Sequence, residues 1–467
     1  PRLPPAAGAD FSFGAYDLEV LRETAGIWKQ WSLEGWCIYR CSERPGPELD
    51  PEVKHAGYQS VRFDPIRSKG YWEQHVRGMS QTVYCQGMGR VFHFGFWGRV
   101  ENAPPTGPSM RWTLEFISAD EKTHLFVVDL AELTGDWTHV SRQLAVPFDL
   151  LACQAVLVNL PWYPDPTRLW IDEVTLSPIG SSNNLLVNGG FESAQLLPAR
   201  LDAYYLDTIE CYEANLNHRR EHWPYSEAPP TFDESRRPAL HQLFSHAQFV
   251  RRVAELAHRE GRLVFGNCVP VSPFVAPWLD ILGNEEFWAL GGRWTPKSDE
   301  AFLFSRFMSR AKPSCILQYN DLDAEQVARY VKRCLFYGVY PGNQSSSTVS
   351  GKWYWTNPVR VNRDRPTYAR YLPFIQEISQ AGWEPLTLAT AEDPALWVER
   401  FGEGATVYLT AFNPTDQPIS TRIVLDTRLP AGPGSQVVER LTGKAVPLEQ
   451  ADGELSFPVT LESEDVA

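Results

Sequence analysis

The chain has 467 residues, more than one hydrophobic core usually supports, so the sequence predicts two or three domains. Its 57 acidic residues outnumber its 43 basic ones, and the formal net charge of −14 repels the phosphates of nucleic acids and anionic lipid head groups. We therefore expect neither nucleic acid nor a membrane as a partner. The sequence begins at Pro1 without a charged-then-apolar leader and has no apolar stretch long enough to span a bilayer, so a soluble protein is expected.

Two residue types narrow the class of binding site. The 17 tryptophans are well above the usual share, and aromatic rings stack against the apolar faces of sugars, although most tryptophans in proteins are core residues. The eight cysteines are scattered and form no C-x-x-C pair, so a cysteine-based zinc site is not expected. We predict no cofactor and no metal site. The localisation is left open, with an extracellular or periplasmic setting as the working expectation.

Residues 10 to 179 read as short strands separated by Gly, Pro, Asn and Asp turns, which predicts a β-sandwich. The opening DFSFGAYDLE, the central pair QTVYC…VFHFGFWGRV and the closing LWIDEVTL resemble the jelly-roll carbohydrate-binding modules attached to polysaccharide hydrolases. The resemblance implies a carbohydrate partner for a domain placed at residues 1–185. A second string similar to the opening, NLLVNGGFES, follows at 184–193.

The pattern changes to alternating helix and strand after Pro198, which predicts a (β/α)-barrel portion at residues 186–390. One helix is expected to end at Gly261, another to run from 298 to 311, and a third to begin at Asp323, with Gln326 completing a capping box, and to end at Gly338. From residue 391 to 467 strands return, and Val407, Leu409 and Ala411 alternate with their neighbours as in a half-buried sheet. This part resembles the C-terminal β-sandwich of many barrel hydrolases.

Only four or five barrel-type strands can be counted between residues 200 and 345, whereas a closed (β/α)₈ barrel has eight. The predicted architecture is therefore a multidomain α/β plus all-β chain with an incomplete barrel. We expect the remaining strands to come from a segment preceding Pro1 or from another polypeptide.

Two predicted strands end in carboxylates, LDAYYLD at Asp207 and LDILGNE at Glu285. In β/α barrels the chemistry lies at the carboxyl ends of the strands, and glycoside hydrolysis uses two carboxyl groups on either side of one bond. The alternative for Asp207 is a helix cap or loop-ordering residue. Glu286 competes with Glu285, because strand alternation points only one of them inward, and Gly283 favours Glu285.

This pattern resembles the retaining hydrolases of the α-galactosidase and endo-α-N-acetylgalactosaminidase superfamily, over about 190 residues. If LDAYYLD is their fourth strand, LDILGNE is the sixth, and the resemblance then implies Asp207 as nucleophile and Glu285 as acid/base. A carboxyl separation well beyond about 10 Å would instead favour a binding module.

Further polar and aromatic residues near these strand ends are of the kind that hold sugar hydroxyls or stack on sugar rings, although each can also be an ordinary loop residue. The predicted substrate-binding residues are Arg219, Arg220, Asn267, Trp288, Tyr319, Asn320, Asp321 and Trp353.

Two other functions stay open. His218, Glu221 and His222 match the H-x-x-E-H spacing of zinc metallopeptidases, but Pro224 follows almost at once, whereas that motif belongs inside a sustained helix. The second is a carbohydrate-binding or scaffold protein whose degenerate barrel has lost catalysis.

Overall fold

The computed structural model describes residues 30–39, 47–65, 78–105, 107–159, 166–197, 202–207, 209, 215–267, 273–310, 312–432, 434–451 and 453–467. The predicted opening DFSFGAYDLE lies outside these residues. The described parts of Glu19–Arg200 and of Leu201–Ala467 belong to two compact units. No helix in the described ranges combines the length and apolar character needed to cross a membrane.

The described residues of the first unit form only β-strands. These are β1 (Gln30–Leu33), β2 (Cys37–Tyr39), β3 (Glu48–Asp50), β4 (Ser60–Phe63), β5 (Gly78–Tyr84), β6 (Val91–Glu101), β7 (Met110–Ile117), β8 (Thr123–Asp129), β9 (Thr138–Ala145), β10 (Ala152–Asn159), β11 (Arg168–Pro178) and β12 (Ala194–Leu197). They build two five-stranded antiparallel sheets, in the orders β2-β5-β10-β7-β8 and β3-β4-β11-β6-β9, and β1 pairs with β12. The predicted β-sandwich is confirmed.

The sandwich core follows from the two-residue period of its strands. Phe92, Phe94 and Phe96 alternate along β6 and are fully buried, and Trp112 on β7 contacts the last two rings edge-on or tilted. The string at 184–193 also belongs to this core, since Leu186 and Phe191 are members of the same buried cluster.

Trp112→Ala is expected to lower the free energy of unfolding of the sandwich by about 3–5 kcal/mol, because it leaves a cavity at the centre of the aromatic cluster. Leu125→Ala is the matched control on the neighbouring strand, since Leu125 is 56% exposed and its loss is expected to cost about 0.5 kcal/mol. Differential scanning calorimetry of the whole chain measures both shifts. Equal shifts would contradict the central place of Trp112.

The second unit mixes helices and strands. The strands are β13 (Ala203–Leu206), β14 (Leu216–Asn217), β15 (Thr231–Phe232), β16 (Pro238–His241), β17 (Leu263–Gly266), β18 (Ile281–Glu286), β19 (Ala289–Leu290), β20 (Arg293–Trp294), β21 (Ser314–Gln318), β22 (Tyr340–Asn343), β23 (Trp383–Glu384), β24 (Ala389–Ala391), β25 (Trp397–Phe401), β26 (Tyr408–Phe412), β27 (Ile419–Leu425), β28 (Val437–Glu439), β29 (Lys444–Val446), β30 (Glu449–Ala451) and β31 (Glu454–Leu461). The helices are α1 (Gln242–Arg259), α2 (Asp299–Ser309), α3 (Ala324–Tyr337) and α4 (Pro358–Ala381), with 3₁₀ turns at Arg220–Tyr225, Ala276–Trp278 and Tyr354–Thr356.

Five of these strands form one parallel sheet in the order β13-β17-β18-β21-β22, which is also their order along the chain. This is the order of consecutive strands in a β/α barrel, and the number agrees with the predicted four or five. Helices α1, α2 and α3 lie in the connections, whereas a 3₁₀ turn takes that place between β17 and β18. Within the described residues β13 and β22 are the sheet edges, so no closed barrel is formed there.

The predicted helix ends are confirmed except for the C-terminus of α2, which ends at Ser309 and not at residue 311. The Asp323 side chain accepts from the backbone of Gln326, whose own side chain accepts from the backbone of Asp323, and Gly338 ends α3 with a φ of 62°. Ser298 caps α2. Gly261, with a φ of 67°, lies just past the end of α1.

The C-terminal strands form antiparallel sheets in the orders β23-β25-β26 and β24-β27-β31-β30, and β28 pairs with β29. The expectation of a half-buried β26 is wrong, because both of its faces are covered. Thr410 and Phe412 point away from the second sheet, yet both are 4% exposed, and the Thr410 hydroxyl donates to the carbonyl of Phe336 on α3. The alternation of side chains along a strand shows that it has two faces, but it does not show whether the outer face meets solvent or a packed helix.

Candidate active site

The parallel sheet brings three predicted site residues to one edge. Asp207 follows β13, Asn267 follows β17, and Glu285 lies near the end of β18. Parallel strands place these carboxyl ends together. The register pairs Tyr205 with Phe265 and Phe265 with Ile281, so strand alternation puts Asp207, Asn267 and Glu285 on the same face of the sheet.

A single side-chain nitrogen joins the two carboxylates. Asn267 Nδ2 donates to Asp207 Oδ1 over 2.8 Å and to Glu285 Oε1 over 2.5 Å, and Asn267 is 2% exposed. Because the two acceptors share one NH₂ group, these oxygens are about 4–5 Å apart. These oxygens are slightly closer than the about 5–5.5 Å between the carboxyl groups of retaining glycosidases, and the gap is far below the separation that would favour a binding module.

Glu285 and Glu286 point to opposite faces of β18. Glu286 forms an ion pair with Lys297 and accepts a hydrogen bond from Asn284, and the side chains of Glu286 and Lys297 are 19% and 12% exposed. Of the two glutamates, Glu285 is the one bonded through Asn267 to Asp207. A Cβ on Gly283 would lie 2.6 Å from the Phe265 ring, so glycine allows the close packing of β17 and β18 beneath Glu285.

Tyr205 is a site residue that the sequence analysis missed. Its hydroxyl donates to Asp207 Oδ1 over 3.1 Å. Desolvation raises the pKa of Tyr205 well above the usual tyrosine value, and the negative charges of Asp207 and Glu285 raise it further, because they disfavour a phenolate. The available signal was strand alternation, since Tyr205 precedes Asp207 by two residues on the same face.

The predicted stacking residues divide into exposed and buried rings. Trp353 is 56% exposed, and the ring of Tyr319 lies 5.7 Å from that of Phe287, which is 69% exposed. Trp288 was predicted to bind substrate, and this is wrong. It is fully buried and packs against Phe302, among other rings, so no face is free for a sugar.

Asn320 and Asp321 shape the loops at the sheet edge. Asn320 Oδ1 accepts from the backbone nitrogens of Trp288 and of Ala289, over 2.8 Å for the latter. These bonds hold the backbone in the turn that directs the Trp288 ring into the core. Asp321 was predicted to be a spare carboxylate. Its Oδ2 instead accepts from the backbone and hydroxyl of Thr348 at 2.8 and 2.9 Å and from Arg360 at 3.2 Å.

The loop between β14 and β15 contains the predicted Arg219 and Arg220, and Arg220 lies over the Trp223 ring at 5.8 Å. A role for these two arginines in holding substrate stays a prediction.

The H-x-x-E-H segment does not form the helical face of a zinc peptidase. Only the 3₁₀ turn Arg220–Tyr225 follows His218, and Pro224 lies inside it. His222 bonds to the Asn217 amide and His218 to the carbonyl of Pro238, so the two imidazoles have different partners. The described residues contain no group of three or more His, Cys, Asp or Glu able to hold a metal ion.

A cavity of about 670 Å³ lies elsewhere, between α4 and the C-terminal strands. Its lining is mainly aliphatic, and its charged members are Glu377, Glu439 and Arg440, of which Glu377 and Arg440 are paired at 2.9 Å. The carboxylate pair at the sheet edge is therefore the better candidate for chemistry.

No protein-family model and no curated protein matches this chain. Solved structures with partial similarity include a family 16 carbohydrate-binding module, with 16% identity, coverage of 28% of this chain and 84% of the module, and a TM-score of 0.22. The xylan-binding domain CBM22-1 from Paenibacillus barcinonensis Xyn10C has 15% identity, coverage of 34% and 94%, and a TM-score of 0.23. The enzymatically active domain of Bacteriophage CBA120 tailspike protein 4 has 12% identity, coverage of 34% and 21%, and a TM-score of 0.25. Because these TM-scores are low, function has to be inferred from the residues of the chain itself.

Asp207→Asn is expected to lower the pKa of Tyr205 part of the way towards the ordinary tyrosine value, because the neutral amide removes a charge that opposes the phenolate while the partial desolvation of the ring remains. Alkaline titration followed by tyrosinate absorbance measures the shift as a difference from the wild-type curve. Tyr205→Phe is the control, since it deletes that titration step. Superimposable curves for Asp207→Asn and wild type would mean that the hydroxyl and the carboxylate do not interact.

Proposed function

We propose that this chain is a glycoside hydrolase that cleaves an oligo- or polysaccharide with Asp207 as nucleophile and Glu285 as acid/base. The observation that carries the proposal is the pair of hydrogen bonds from Asn267, which hold the two carboxylates close to the about 5–5.5 Å spacing of retaining glycosidases. The position of both at the carboxyl ends of parallel strands supports it.

The proposed reaction has two steps. First, an Asp207 oxygen attacks the anomeric carbon and forms a glycosyl ester, while the glycosidic C–O bond breaks and Glu285 gives its proton to the leaving oxygen. Second, Glu285 takes a proton from water, the water oxygen attacks the same carbon, and the ester bond to Asp207 breaks. Two inversions leave the anomeric configuration retained.

Asn267 and Tyr205 are positioning residues in this proposal. Asn267 fixes the orientation of both carboxylates through one buried amide, which keeps the nucleophile from swinging away from its partner. Tyr205 donates to the same Asp207 oxygen that accepts from Asn267, and this leaves the second oxygen of Asp207 for attack.

Asp207→Asn and Glu285→Gln are each expected to lower turnover by about 10²–10⁴-fold while substrate binding persists, because each removes one group that reacts in the transition state. The assay uses galactomannan, xylan, mucin and the nitrophenyl glycosides of their sugars, with binding followed by calorimetry. Glu286→Gln is the matched control on the adjacent position and is expected to have a much smaller effect, because Glu286 pairs with Lys297 on the other face.

Wild-type turnover in both carboxylate variants would overturn the proposal. Carbohydrate binding without turnover in the wild type would favour the non-catalytic binding protein. For an active wild type, proton NMR of the first product formed distinguishes retention from inversion, and an inverted product would exclude Asp207 as a nucleophile.

A further inference from the structure

We infer that the substrate is an extended glycan chain, held by a row of aromatic rings made of the exposed Phe287 after β18, the half-buried Tyr319 after β21 and the exposed Trp353 on the loop after β22. This inference rests on the proposed function, since it names the substrate class of the same site. A single terminal sugar would contact only the end of this row nearest the carboxylates.

The first two rings lie next to the carboxylates. Phe287 follows Glu285 by two residues, and the register pairs Glu285 with Leu317, two residues before Tyr319, so alternation puts both rings on the face of Glu285. Their centroids are 5.7 Å apart with planes tilted by 30°. The Tyr319 hydroxyl also lies within electrostatic range of Tyr205, which bonds to Asp207.

The third ring stands on a braced loop between β22 and α4. Asp321, two residues after Tyr319, holds this loop through three hydrogen bonds from Thr348 and Arg360. Within the loop Trp353 pairs with Ser346 as an isolated β-bridge, and the backbone of Ser347 bonds to that of Lys352 at 2.8 Å. The Trp353 backbone is therefore fixed while its side chain stays exposed.

Exposure of these rings needs a physical reason. A single exposed aromatic is ordinary, but Phe287 at 69%, two residues after Glu285, and Trp353 at 56%, on the loop bound to Asp321, together indicate a binding surface. Strands are about 4.8 Å apart, so the distance from β18 to β22 is about 10 Å, wider than one sugar ring. The backbone that carries Trp353 is braced, so little backbone entropy is lost when a sugar stacks on its ring.

The experiment compares kcat/KM for a nitrophenyl monosaccharide and for oligosaccharides of increasing length built from the same sugar, with sugars taken from galactomannan, xylan and mucin. In the wild type kcat/KM is expected to rise with length. Trp353→Ala is expected to lower kcat/KM on the longest substrate by about tenfold or more, mainly through KM, and much less on the shortest. Trp353→Phe is expected to restore most of the loss, because it keeps a stacking face.

Phe307→Ala is the matched control, since Phe307 is 67% exposed on α2 and lies outside the row. It is expected to keep the wild-type length dependence. Equal kcat/KM on all lengths in the wild type, or an equal loss on all lengths in Trp353→Ala, would overturn the inference and leave the glycosidase proposal intact. Full activity of Asp207→Asn and Glu285→Gln on every length would overturn the glycosidase proposal itself.

Discussion

The candidate site depends on one buried amide. Asn267 Nδ2 donates to both Asp207 and Glu285, and each bond is possible only because β13, β17 and β18 are adjacent parallel strands in register. Two carboxylates at this spacing repel each other, and a shared hydrogen-bond donor offsets part of that repulsion. The amide is charge-neutral, so it orients both side chains without placing a positive charge between them. A lysine here would bind both carboxylates more strongly and compete with the substrate.

The acidic residues near the sheet edge differ in the kind of hydrogen-bond donor that holds each carboxylate. Glu286 pairs with Lys297, and Asp321 binds Thr348 and Arg360, so each of these carboxylates has fixed cationic or backbone partners. Asp207 accepts instead from the neutral Tyr205 and Asn267, and Glu285 also accepts from Asn267. A carboxylate held by neutral donors keeps more of its charge available to a substrate than one paired with a cation.

The sequence predicted the carboxylate pair because strand ends can be read from apolar runs. The runs before Asp207, Asn267 and Glu285 mark buried parallel strands, and their first polar residues must emerge at one edge. The two ends of α3, at Asp323 and Gly338, could also be predicted, because a local side-chain hydrogen bond fixes the first end and a positive φ fixes the second. The orientations of loop side chains could not be predicted, because they depend on contacts with residues distant in the sequence. Trp288 is turned inward by Asn320, thirty-two residues away, and no local pattern reveals this.

The two faces of the parallel sheet are unequal, and this bears on the predicted incomplete barrel. On one face Val264, Leu282 and Ile316 are at most 3% exposed. On the other, which carries the site, Tyr205 is 50% and Leu263 is 44% exposed. A closed barrel buries both faces, the inner one under side chains of the opposite strands. The apolar side chains on the site face are those that opposite strands would cover in a closed barrel, so the described sheet exposes part of the surface that a closed barrel buries.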